Sequence, residues 1–366
     1  MTIKECIDKI ILVNDYWLKG NPQELMPDWS ITCYFMGCIE AYKATGKKEY
    51  LEAAVAWGKK NNWKTDHYQD TEYAINTLMP YFALPEACDW QFENPSDYQY
   101  IHADFLTCGM AYLELKKLVP EVVNMDIVYE VMRFTVEDEH DDYWFWVDAI
   151  HMALCLYHMV AQETGDMRFA EQGHKFYLNN KEERGCYDHE EHLWYRDARF
   201  FPDKMLTKNG KKVFWSRGNG WVYAGLIQTL SVLKKDSPYY EGYKETFLEM
   251  TEAILKCQGD DGFWRSSLLD PEEYPMKETS GTLLFLHSIL RAIRLGILDD
   301  SYLPIFRKGF EAITKDAVFE DGRVGWVQGV AASPGVTEAN TSVHYAVGYY
   351  LMTCCEWITY CKEHEI

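Results

Sequence analysis

Two aspartates stand where aromatic-rich loops turn into segments of helical apolar spacing. Asp148 lies in DDYWFWVDAIHMALCLYHM, flanked by Trp144, Phe145 and Trp146, and Asp104 opens the run ADFLTCGMAYLEL. A carboxyl group in an aromatic pocket loses hydration, which favours the protonated form and makes it a proton donor. A second carboxylate facing it completes the acid/base pair used on sugars. Both residues also suit the plain role of helix N-cap, and a helix N-terminus favours the ionised form, so the pocket has to outweigh that influence.

Three further motifs carry polar and aromatic groups, two at helix starts and one in a loop. In FWSRGNGWVYAG, Gly218 and Gly220 permit close approach, Arg217 suits a carboxylate, and Trp215 and Trp221 offer flat faces to a sugar ring. In KETSGTLLF, Thr279 and Ser280 offer hydroxyls, with capping by one of them the simplest role. In YDHEEHLWYRDARFF, His189 and His192 are three apart, which departs from the zincin H-E-x-x-H spacing, so a solvated loop leading to a wall of Trp194, Tyr195 and Arg196 is expected, with no metal and no other cofactor. No phosphate-cradling loop, GxSxG elbow or Cys/His dyad is present.

The elements that must position these groups read as helices throughout. About a dozen amphipathic stretches follow one another, among them 3–18, 31–45, 105–118, 150–164, 221–233, 283–295 and 343–360. Their stops repeat: Thr45-Gly46 and Thr164-Gly165 have the same form, and further breaks fall at Val119-Pro120, Ser237-Pro238 and Leu295-Gly296. The spacing of these breaks averages roughly 60 residues, the size of a helical hairpin with its loops, so six hairpins account for the chain. The expected architecture is therefore all-α, an (α/α)6 barrel formed as a single domain over residues 1–366, with the first and last helices completing the sixth pair. The long connections 137–146, 181–215, 259–278 and 319–340 all precede inner-ring helices and should gather, with their tryptophans, at one mouth.

Composition narrows the partners. The 366 residues carry 57 acidic and 36 basic side chains, a formal net charge of −21, which disfavours nucleic acid and anionic membrane surfaces. Eleven cysteines without a regular framework, no secretory leader and no membrane span point to a cytoplasmic protein, expected as a monomer or homodimer. Aromatic residues reach 15%, with 13 Trp and 26 Tyr, more than a core usually demands.

Taken in order, HADFLTCGMAYLEL, WFWVDAIHMA, LWYRDARFF, WSRGNGWV and KETSGTLLFLHSILRAIRLGIL resemble the unsaturated glucuronyl and rhamnogalacturonyl hydrolases of glycoside hydrolase families 105 and 88. The resemblance covers most of the chain and implies an (α/α)6 barrel acting on a small oligosaccharide that bears a 4,5-unsaturated uronic acid at its non-reducing end, the product of a polysaccharide lyase. It implies hydration of the C4=C5 vinyl ether: Asp148 protonates C4 and then assists water attack at C5, and the hemiketal opens to expel the remaining sugar. Asp104 would hold ring hydroxyls and tune Asp148, Arg217 and Trp221 match binding positions, and Trp146 would be a stacking wall. Arg196 stands where the family's rhamnogalacturonyl members often carry His, which bears on the leaving sugar. The rival readings are a conventional inverting glycosidase using Asp104 and Asp148, and a catalytically inactive glycan-binding protein. A sugar epimerase would want central histidines, for which His151 and His158 are a weak signal.

Overall fold

The structure, a computed structural model, describes residues 1–65, 102–137 and 141–366. Cys88 and the middle of the 137–146 connection lie outside them. Twelve main helical units follow in the described chain, alternately outer and inner. The first four helices are α1 (Ile3–Leu18), α2 (Trp29–Thr45), α3 (Lys48–Lys60) and the short α4 (Ala103–Leu106), which runs through Thr107 into α5 (Cys108–Leu118). After α6 (Asp126–Glu137), a π-helical turn (Ile150–Leu154) continues as α7 (Cys155–Thr164), followed by α8 (Arg168–Leu178). A two-stranded antiparallel ribbon, β1 (Tyr187–Asp188) with β2 (Leu193–Trp194), precedes α9 (Ser216–Val232) and α10 (Tyr240–Leu255). Then come α11 (Thr279–Arg294), α12 (Leu303–Asp316) and α13 (His344–Glu363).

Helices α2, α5, α7, α9, α11 and α13 are buried almost all round, and each packs on the next, with α13 returning to α2 to close the ring. The intervening helices keep one apolar stripe and lie outside; α1 packs on α13 and α2, so the two ends of the chain complete the sixth hairpin as the repeat spacing predicts. Nearly all of the described buried hydrophobic residues form one continuous cluster, Phe105 and Trp215 standing outside it.

Two kinds of glycine shape this ring. Gly46 and Gly165 end α2 and α7 at φ 73° and 76°, each returning its N–H to the carbonyl four residues earlier, which explains the repeated Thr-Gly stops. Gly348 brings α13 onto α2 so closely that a Cβ there would lie 2.0 Å from the Cys33 carbonyl oxygen.

Because the long connections all enter inner helices, the N-termini of α4, α9, α11 and α13 and the start of the π-turn meet at one end of the barrel. The sequence places α9 from Trp221, but the helix begins at Ser216 and takes in the whole RGNG segment. Asn219 anchors this early start: its amide accepts from Trp194 N–H and donates to the carbonyls of Trp194 and Trp215.

Candidate functional site

At the mouth, His102 caps α4, its Nδ1 accepting the backbone N–H of Asp104 at 3.2 Å. Its ring stacks on Trp146, with centroids 4.4 Å apart. Burial, reinforced by the nearby charge of Arg196, pushes the His102 imidazole well below its ordinary pKa and keeps it neutral. Asp104 follows with a quarter of its side chain exposed. Sequence reasoning misses His102, for which the one available signal is its position two residues before Asp104.

Asp148 sits one residue before the N-cap position of the π-turn, which Ala149 occupies, and is 7% exposed. Val147 donates its N–H to the Arg196 carbonyl, which joins this loop to the segment after β2. Arg196 then reaches back, its Nε donating to Asp148 Oδ2 at 3.0 Å. Burial is the largest influence on the Asp148 carboxyl and raises its pKa; Arg196, the backbone amide and Arg217 pull it down without cancelling that effect. The carboxyl thus retains a proton more readily than a solvated aspartate.

Arg196 also donates from Nη1 to Asp197 Oδ2 at 2.7 Å, and Arg199 clasps Asp197 through Nε and Nη2 at 2.8 and 2.7 Å. Asp197 is fully buried; burial alone would raise its pKa, but the Arg199 hydrogen bonds and the Arg196 charge hold it below the ordinary value.

Several residues expected to face a ligand have other partners. Arg217 is 1% exposed, and its terminal nitrogens donate to the carbonyls of Gln328 and Gly329, both at 2.7 Å, and to Ser280 Oγ at 3.2 Å. Its guanidinium lies over the rings of Trp215 and Tyr345, 4.4 and 5.0 Å from their centroids. It fixes the connection into α13 instead of presenting an open fork. Trp215 supports the same connection, donating from Nε1 to Gln328 Oε1.

The expected hydroxyls of Thr279 and Ser280 are likewise committed, to the Gly325 carbonyl and to Glu278. Neither residue caps α11: Glu278 does, its buried carboxylate accepting the N–H groups of Ser280 and Gly281. The Gln328 N–H also donates to Glu278, so one carboxylate serves the helix start and the loop above it.

The tryptophans divide between wall and core. Trp146 stands beside His102, while Trp144 packs on Tyr157 and Phe176 inside the α7/α8 layer. Trp221 lies deep in the ring against His151, Trp29, Tyr345 and Tyr349. Trp194 and Trp264 are core residues, so the expected gathering of all these rings at the mouth is corrected: most fill the interior, where large apolar area is worth most. Trp29 and Tyr345, stacked at the starts of α2 and α13, belong to none of the motifs that the sequence offers.

The histidine-rich loop is solvated as expected, with His189 paired to Glu182 and His192 to Tyr187. His151 meets Tyr349 and His158 meets Tyr243, and burial pushes each imidazole down to about 3.

Comparison with known proteins places this geometry in a family. The chain is 32% identical over 348 residues to an unsaturated 3S-rhamnoglycuronyl hydrolase of Formosa agariphila, covering 93% of this chain and 87% of that one. A solved glycosyl hydrolase family 88 structure from Bacteroides vulgatus superposes with a TM-score of 0.85 at 32% identity over 98% of this chain and all of the other. A solved protein described as a polysaccharide lyase gives 0.86 at 30% identity over 99% of both chains. The family model for Glycosyl Hydrolase Family 88 matches residues 2–361, so the chain belongs to that family and is a glycoside hydrolase.

Proposed function

We propose that this hydrolase removes a 4,5-unsaturated uronic acid from the non-reducing end of lyase-generated oligosaccharides by hydrating the C4=C5 vinyl ether. The observation that carries the reading is Asp148, a carboxyl at the mouth of a glycosidase barrel whose hold on a proton is strengthened by burial. Vinyl ether hydration needs an acid that can protonate carbon, and the same group, once ionised, can take the proton of the attacking water. Asp104, partly exposed on the neighbouring helix start, binds ring hydroxyls, and the stacked pair His102 and Trp146 forms a flat wall beside it. The Formosa relative is named for this class of reaction, and its name supports a rhamnose-containing leaving group.

The catalytic unit is one domain spanning the chain, which suits the continuous core. A cytoplasmic setting, as monomer or homodimer, agrees with the lack of disulfides among the described cysteines. No helix among the described residues is long and apolar enough to cross a membrane.

The test uses a lyase-generated unsaturated disaccharide and follows the ultraviolet absorbance of its conjugated double bond. Hydration removes that absorbance, and a saturated uronyl disaccharide is left intact. Equal cleavage of the saturated compound identifies a conventional inverting glycosidase. An increase in absorbance on polymer identifies an eliminating enzyme, the activity for which one similar structure is named.

A further inference from the structure

Asp148 stands two residues before the π-helical turn Ile150–Leu154, which continues as α7. Such a turn takes up one residue more than an α-turn, so whatever precedes it is rotated by about 100° and displaced by about 1.5 Å relative to an unbroken α-helix. The direction in which Asp148 faces at the mouth therefore depends on this turn keeping its π form. π-Turns are rare, and this one needs something to hold it.

It is held from two sides. On α9, Gly225 lets the turn approach so closely that a Cβ there would lie 2.8 Å from His151 Cα and 2.9 Å from the Ile150 carbonyl oxygen. On α13, Tyr349 bonds to His151, which lies inside the turn. Gln228 Nε2 donates to the Tyr349 hydroxyl oxygen at 3.1 Å, which leaves the Tyr349 O–H to donate to His151 Nε2. The adjoining Gly348 presses α13 onto α2, so this partner is itself fixed. Among the described residues His151 Nδ1 has no hydrogen-bond partner, which leaves the Tyr349 bond as the polar link of the ring. His151 is 2% exposed and its ring lies 4.5 Å from that of Trp221, too enclosed to touch a ligand at the mouth.

We propose that His151 is a positioning residue for the hydration step: its bond to Tyr349 keeps the turn in the π form and so aims the Asp148 carboxyl at C4 of the unsaturated ring. The inference rests on the hydration reading above and adds what places its acid. His151 itself moves no proton and meets no reacting atom. Its effect on rate comes through alignment, where a displacement of about 1 Å costs on the order of 10²-fold. The same inner helix carries its own control. His158, 1% exposed and bonded to Tyr243 of α10 at 3.1 Å, forms a second buried His–Tyr pair, in the regular α-helix beyond the turn. Loss of that pair weakens the fold without turning Asp148.

The experiment measures kcat, KM and the urea midpoint on the unsaturated disaccharide for wild type and four single variants. His151→Phe and Tyr349→Phe are each expected to lower kcat by about 10- to 100-fold with KM within about threefold of wild type, the pattern of lost alignment. The double variant is no slower than either single one, because one bond joins the two residues. His151→Gln recovers most of kcat, since its amide places a polar atom as many bonds from Cα as Nε2. His158→Phe loses stability and keeps kcat. Wild-type kcat in folded His151→Phe overturns the proposal, as does an equal fall of kcat in folded His158→Phe or a failure of His151→Gln to recover. Should His151→Phe not fold, Tyr349→Phe decides in its place: an unchanged kcat there overturns the proposal. Absence of wild-type turnover removes the hydration reading and this inference with it, whereas turnover that is lost in Asp148→Asn but intact in His151→Phe removes this inference alone.

Discussion

Replacing Asp148 by asparagine separates what the side chain costs the fold from what it does in the reaction. The change keeps shape and leaves Arg196 its 2.7 Å bond to Asp197, while removing a charge from a site only 7% exposed. Because burial outweighs the attraction of Arg196, the folded pKa of Asp148 lies above its ordinary value of 3.8. The sign of the linkage follows: between 3.8 and the raised value the folded state holds a proton that the unfolded chain has lost, so stability falls as pH rises through this window. Above it the full penalty is present, at about 1.4 kcal/mol for each unit of displacement. An amide in this place escapes that penalty, so Asp148→Asn should match or exceed the wild-type stability at pH 7 and lose this advantage near pH 3. Turnover should fall by about 10⁴-fold or more, since one group serves as acid at C4 and then as base at C5, each worth about 10²–10⁴. Urea unfolding at the two pH values and the absorbance assay supply the measurements. A loss of about 3–5 kcal/mol at pH 7 is what breaking a net favourable buried ion pair would give, and it would refute the dominance of burial. Turnover within tenfold of wild type would remove Asp148 from the chemistry.

Arg217→Ala should lower the melting temperature as well as raise KM, because two charge-assisted bonds to the Gln328 and Gly329 carbonyls disappear at a combined cost of about 3–6 kcal/mol; an increase in KM at unchanged melting temperature would assign it to direct substrate contact instead. Acid should destabilise the fold steeply. Burial holds His151, His158 and His287 at about 3 against an ordinary 6.5, so each is protonated only in the unfolded chain as pH falls through this range. Three such groups contribute roughly 4 kcal/mol per pH unit below 6.5, and a flat urea midpoint between pH 6.5 and 5 would contradict their burial as neutral groups. Gly348→Ala should cost about 3 kcal/mol or more in the same assay, since the added methyl meets backbone atoms of α2 that cannot turn aside.

The barrel was legible because its signals are local and repeated. Apolar spacing and the paired Thr-Gly stops depend on residues a few positions apart, and both recur in the helices and left-handed caps. What the sequence concealed depends on distant partners. Glycines at 218 and 220 read as room for close approach ahead of a helix starting at Trp221, yet Asn219 supplies the anchoring bonds that carry α9 back to Ser216. Glu278 is outside the usual set of capping residues, and it caps α11 because it also receives the Gln328 N–H fifty positions away. Arg217 reads as a carboxylate fork until the carbonyls of 328 and 329 occupy it. The π-turn after Asp148 has no periodic signature distinct from the α-helix it joins, and it places His151 against Trp221 and Tyr349.

The charge of −21 and an anionic substrate are compatible because they act over different distances. Surface carboxylates are screened beyond roughly 8 Å at physiological ionic strength, whereas buried groups at the mouth interact through a medium that screens far less. There the backbone supplies positive ends of inner helices, and Arg196 adds a cation beside Asp148. A long polyuronate must lay its further charges across the acidic exterior, while a short fragment needs only the mouth. Selection for fragments then follows from the acidity of the whole molecule, while recognition of their one terminal carboxylate is left to the few positive groups at the mouth.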